Sequence, residues 1–141
     1  MSHVATIELE INDLCSLKKA CERLGFTFME GQRTYRWYGE WVGDHPLPEG
    51  FTQEDLGKCD HAIRVPGALY EVGVVNRGGK YVLLWDFWQD GGLQQKLGKN
   101  AGLLKQAYTI VRSKAEAIRK GYQVAEKRTK SGIRLVLSKR S

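Results

Sequence analysis

The segment from Tyr70 to Trp88, YEVGVVNRGGKYVLLWDFW, constrains this chain more than any other. Two runs rich in β-branched and aromatic residues flank Asn76-Arg77-Gly78-Gly79, and adjacent glycines supply the positive φ that a tight strand reversal requires. An antiparallel hairpin is therefore expected. A second is expected close to the carboxy terminus, where YQVAEKR and IRLVLSK surround Lys130-Ser131-Gly132.

The remaining elements follow from periodicity. HVATIELEI alternates, with Ala5, Ile7, Leu9 and Ile11 on an inward face that His3 joins, and Thr6, Glu8 and Glu10 on the other. Asn12 or Asp13 then caps a helix whose Leu14, Leu17, Cys21 and Leu24 share one side, and Gly25 ends it. Phe26 to Met29 reads as extended. Between Leu103 and Lys120 the residues Leu104, Ala107, Tyr108, Val111, Ala115 and Ile118 trace a helical face that stops at Gly121. Runs of strands interrupted by two amphipathic helices predict an α+β fold: a mainly antiparallel sheet with both helices on one face, a ferredoxin-like sandwich. The opposite face is expected to be partly open.

From Gly31 to Gly67 the texture changes, and all three prolines fall inside this segment. It reads as an inserted aromatic, loop-rich segment at about 31–67 within a single domain spanning 1–141. Arg33 to Val42 is expected as a twisted strand and DHPLPEG as an ordered loop. Thr52 with Asp55 caps one helical turn, and Cys59 to Val65 is extended again. Tyr35, Arg36, Trp37 and Trp41 crowd this stretch and are candidates for a recognition surface. DGGLQQKLGKNAG, which follows Gln89, reads as a mobile loop ahead of a helix, with an anion site at that helix's N-terminus as the alternative.

The longest apolar runs are too short to cross a bilayer, and no leader pattern opens the chain. A soluble, cytoplasmic protein is expected. Three cysteines without a CxxC spacing argue against a disulfide framework and fit a reducing compartment.

Charge is informative once divided. Residues 1–100 carry 11 Lys and Arg against 14 Asp and Glu, whereas residues 101–141 carry 11 against 2. The balance is thus −3 in one part and +9 in the other, which together give the chain's +6. Such asymmetry suggests an acidic partner. On the last helix Lys105, Arg112 and Arg119 recur at sevenfold spacing, and with Lys127 and Arg134 they are expected to form a continuous basic surface.

Reactive centres are harder to assemble. His45, Cys59 and His61, with His3 brought from afar, could ligate a metal, but their spacing fits no zinc signature. A packed cysteine and a hydrogen-bonded histidine explain the same letters. No GxSxG elbow or phosphate loop is present, because GGK at 78–80 sits in a hairpin and not before a helix. Asp86 and Asp90 lie near Trp85 and Trp88, yet a hydrogen-bonded aspartate at a strand end accounts for them. No cofactor is implied.

The opening MSHVATIELEINDLCSLKKACERLGF, the central YEVGVVNRGGKYVLLWDFW and the closing GYQVAEKRTKSGIRLVLSKRS together resemble the hypothetical chloroplast reading frame thirty-five family, small proteins of unknown function from plastids, cyanobacteria and bacteriophages. Where plastid members have alanine-aspartate-leucine-valine-isoleucine-arginine, this chain has CDHAIR: Asp60 and Arg64 match, whereas Cys59 and His61 do not. The Trp-rich stretch is similar to the longer forms carried by phages. The resemblance implies a small protein of the cytosol, the stroma or a host cell's cytoplasm, and it carries over no catalytic residue.

The expectation is therefore a non-enzymatic binding or adaptor protein for an acidic macromolecule, foremost a protein, using Tyr35, Arg36, Trp37 and Trp41 with the basic surface. Single-stranded nucleic acid is the alternative partner, since stacking on such rings contributes about 1–3 kcal/mol per base. A metal-assisted enzyme around Cys59 and His61 is a third reading. The sequence sets no oligomeric state.

Overall fold

A computed structural model describes residues 3–139. The elements run β1 (Val4–Ile11), α1 (Leu14–Leu24), β2 (Thr27–Met29), β3 (His61–Arg64), β4 (Glu71–Arg77), β5 (Lys80–Asp86), α2 (Leu93–Leu97), α3 (Gly102–Arg119), β6 (Tyr122–Thr129) and β7 (Gly132–Lys139). The fold is mixed α+β, with a five-stranded antiparallel sheet ordered β1-β5-β4-β3-β2.

Local chemistry sets these boundaries. Asp13 caps α1 by accepting the Cys15 N–H and the Ser16 hydroxyl, and Gly25, at φ 78°, receives the chain beyond the helix. Gly78 and Gly79, at φ 63° and 88°, form the β4–β5 turn. α1 and α3 pack on one sheet face. Leu17, Ala20 and Cys21 of α1 and Leu104, Ala107 and Tyr108 of α3 close over Ile7, Ile63, Val72, Val74, Leu83 and Trp85.

The sheet is not ferredoxin-like. That arrangement interleaves two βαβ units in one sheet, whereas here β1 is an edge strand and β2 to β5 form a meander that returns to it. The last two strands do not join this sheet at all. They form a separate two-stranded ribbon that β6 begins by running back along α3.

The second sheet face is covered, contrary to expectation. Tyr35, Phe51, Leu56 and Cys59 pack against Val4, Ala62 and Leu84, with Trp37 and Trp41 at the margin. Gly73 in the middle of β4 makes this possible, because the Tyr35 ring lies where any side chain there would sit. Arg33–Val42 is not a strand: an isolated bridge, Thr34 to Lys58, is its only ladder contact among the described residues. The turn at Gln53–Asp55 does form with its Thr52–Asp55 capping box.

The DGG region is ordered. It leads into α2, whose Leu93 and Leu97 are both fully buried, each such burial being worth roughly 1.5–3 kcal/mol. The α3 face is also rotated near its end: Ile110 and Ala117 are buried, whereas Ala115 and Ile118 are exposed.

Candidate functional site

Two buried carboxylates decide what the aromatic segment can do. Glu71 accepts the Arg36 N–H at 3.0 Å, the Gln32 amide at 3.1 Å and the Arg64 Nε at 3.2 Å. Burial alone would raise its pKa, but the Arg36 N–H, the Arg64 and Arg36 guanidinium groups and Gln32 outweigh that and hold it below the ordinary value. Asp86, wholly buried, accepts the N–H groups of His3, Tyr38 and Trp88. These bonds replace the strand ladder that the segment lacks.

The aromatic candidates are consequently packing groups. Tyr35 is buried at 3 % exposure, and burial drives its phenol up to about 12. The Trp37 indole fills the space beside Gly57, and Trp41 Nε1 donates to the His45 carbonyl at 2.9 Å. Arg36, with its Glu71 pairing, and Tyr38 are exposed. Of the rings expected on a recognition surface, Tyr35 is buried against the second sheet face, and Trp37 and Trp41 pack half-buried at its margin.

The four candidate metal ligands are not gathered. The rings of His3 and His45 lie 5.5 Å apart, with His3 Nε2 2.9 Å from Asp44. Cys59 and His61 were expected on one strand face, but Cys59 packs in the cluster beneath Tyr35 while His61 stacks against Phe28 and Tyr81 on the other side. The Cys59 thiol is pushed up to about 11 by burial and meets the Gln32 carbonyl, and His61 Nδ1 accepts the Gly31 N–H. Cys59 Sγ and His61 Nδ1 are thus engaged in backbone hydrogen bonds on different sides of the sheet.

The expected basic stripe is broken. Arg112 pairs with Asp13 at 3.3 Å, and Arg119 with Glu116 at 2.7 Å. Lys105 is half-buried in a cleft of about 420 Å³ beside β1, near Trp85 and Phe87. What remains concentrated is the ribbon. It carries Lys127, Arg128, Lys130, Arg134 and Lys139, and none has an ionic partner among the described residues. Its one acid, Glu126, is held by two hydrogen bonds from Arg23, at 2.6 and 2.7 Å, and by Lys114 at 2.6 Å.

Register places Lys127 directly opposite Arg134, so the two cations share the outward face of the ribbon. The next pair inward on that face is Ala125 and Val136. Val136, Leu137 and Ile118 are exposed apolar side chains at 37, 50 and 47 %. Between α3 and the ribbon lies an open cleft of about 630 Å³ lined by Arg112, Lys120, Tyr122 and Leu137. The sequence reading found both cations but missed Val136 beside them, which the strand alternation of IRLVLSK places on the Arg134 face.

Comparison with known protein families, curated proteins and solved structures finds no match to this chain.

Proposed function

We propose that this chain is a non-enzymatic binding or adaptor protein whose carboxy-terminal ribbon captures an acidic segment of another protein. The Lys127–Arg134 pair carries the reading. Like charges placed directly across a ribbon oppose its formation, and an acidic group brought beside the pair offsets that repulsion. The exposed Val136, next to the Lys127–Arg134 pair on the same face, favours a protein partner over a nucleic acid, because a phosphate backbone gains nothing from an apolar neighbour. The aromatic rings that would stack bases lie on the far side of the sheet from α3 and its ribbon.

The reading retains the resemblance to the hypothetical chloroplast reading frame thirty-five family, with a cytosolic setting, and treats the aromatic segment as an addition to a shared sheet. No helix among the described residues is long and apolar enough to cross a membrane.

The test is a fluorescence-anisotropy titration of two labelled probes of equal charge, a peptide alternating glutamate with leucine and a single-stranded oligonucleotide. The peptide is expected to bind more tightly at physiological salt. Tighter oligonucleotide binding with a steep salt dependence would contradict the protein reading and establish the nucleic-acid one.

A further inference from the structure

The free strand edges of this molecule differ in kind. In the main sheet, β2 is three residues long and β1 carries a register irregularity between Ile7 and Ile11. Short and bulged edges resist pairing with other chains. Part of β1 is also overlooked by Gln94 and Asn100 across the adjoining cleft. The ribbon has neither protection. Its register runs unbroken from the Tyr122–Lys139 pair to the Thr129–Gly132 pair, it contains no proline, and its eight-residue strands extend roughly 25 Å.

Two-stranded ribbons are marginal alone, and a third strand supplies the missing ladder. β6 is tied down, since it follows α3 directly and its Glu126 is gripped by Arg23 and Lys114. No ion pair holds β7 among the described residues, and β7 bears the exposed Val136 and Leu137. A second copy of this chain is a poor occupant, because its β7 would bring Arg134 and Lys139 and no acid to this edge.

We infer that the outer edge of β7 accepts an extended acidic segment of a partner protein as a third strand. This rests on the proposed function and specifies its geometry. Residues side by side in a sheet share a face, so register fixes the chemistry of the guest. The guest residue beside Arg134 is aspartate or glutamate, completing the Lys127–Arg134 row. Two positions along, beside Val136, it is apolar, and so is the next, beside Leu137. A guest parallel to β7 reads acid–any–apolar–apolar, and an antiparallel guest reads the reverse. Backbone hydrogen bonds provide the affinity and these rows the selection.

The experiment is hydrogen exchange on the full chain with three synthetic peptides: one with the acid–any–apolar–apolar order, one scrambled to the same composition, and one N-methylated at alternate residues. The ordered peptide at saturation is expected to slow exchange of β7 amides at least about tenfold. The scrambled and N-methylated peptides are expected to bind at least about tenfold more weakly. In Arg134→Glu, affinity should shift to a peptide with lysine at the acidic position. Equal binding of all three peptides without protection of β7 would overturn strand addition while leaving the cationic surface as the binding site. Binding by none of them would overturn both, and β7 protection by a single-stranded oligonucleotide alone would replace the guest with nucleic acid.

Discussion

Lys127 and Arg134 face each other across the β6–β7 ribbon with no acidic side chain between them, while the ribbon's one carboxylate, Glu126, is engaged with Arg23 and Lys114. The ribbon thus uses its acid to attach itself and leaves its cations to solvent. Such an arrangement costs stability in the isolated chain and is relieved by an anionic guest.

Lys127→Glu places opposite charges across the ribbon and should raise stability by about 0.5 kcal/mol. Chemical denaturation at low salt measures it, and the gain should shrink as salt is added.

Glu126 sets the pH response of ribbon attachment. Hydrogen bonds from Arg23, then Lys114, lower its carboxyl from 4.5 to about 2. A folded value below the unfolded one means the stabilisation is complete above about pH 4.5 and vanishes as pH falls through about 2. Glu126→Gln should therefore cost about 1–2 kcal/mol at neutral pH, with the gap to the parent chain closing between pH 4.5 and 2 in a denaturation series.

Removing the Glu71 carboxylate should release the aromatic segment. Glu71→Ala leaves the Arg36 N–H without its acceptor and takes away the partner of two guanidinium groups, at a cost of about 3 kcal/mol. A red shift of tryptophan emission, as Trp37 and Trp41 gain water, reports it.

Trp37→Ala and Trp41→Ala should destabilise without affecting recognition. Each is expected to cost about 2–3 kcal/mol in denaturation. Affinity for an acidic peptide should stay within about twofold of the parent, because the rings sit against the sheet face opposite α3.

The elements most legible in the sequence are those fixed by neighbours in the chain. Asp13 and Gly25 bound α1, Gly78-Gly79 and Lys130-Ser131 mark the two turns, and Thr52 with Asp55 marks the helical turn. What escaped depends on distant partners. Arg33–Val42 has the composition of a strand, but its Arg36 and Tyr38 N–H groups go to Glu71 and Asp86, 35 and 48 residues further along the chain. One local signal was available: Gly73 interrupts a valine-rich strand, and a glycine there marks a close approach, here by the Tyr35 ring. The basic stripe of α3 failed for the same reason. Helical spacing aligned Arg112 and Arg119, and nothing local showed that Asp13 and Glu116 would neutralise them.

The central claim is most directly tested by a reciprocal charge swap. Binding of a glutamate–leucine peptide and its lysine–leucine counterpart is measured on the parent chain and on Lys127→Glu with Arg134→Glu. The account predicts that the double variant loses the acidic peptide by at least about tenfold and gains the basic one. Unchanged affinity for the acidic peptide, with the fold intact, would contradict it.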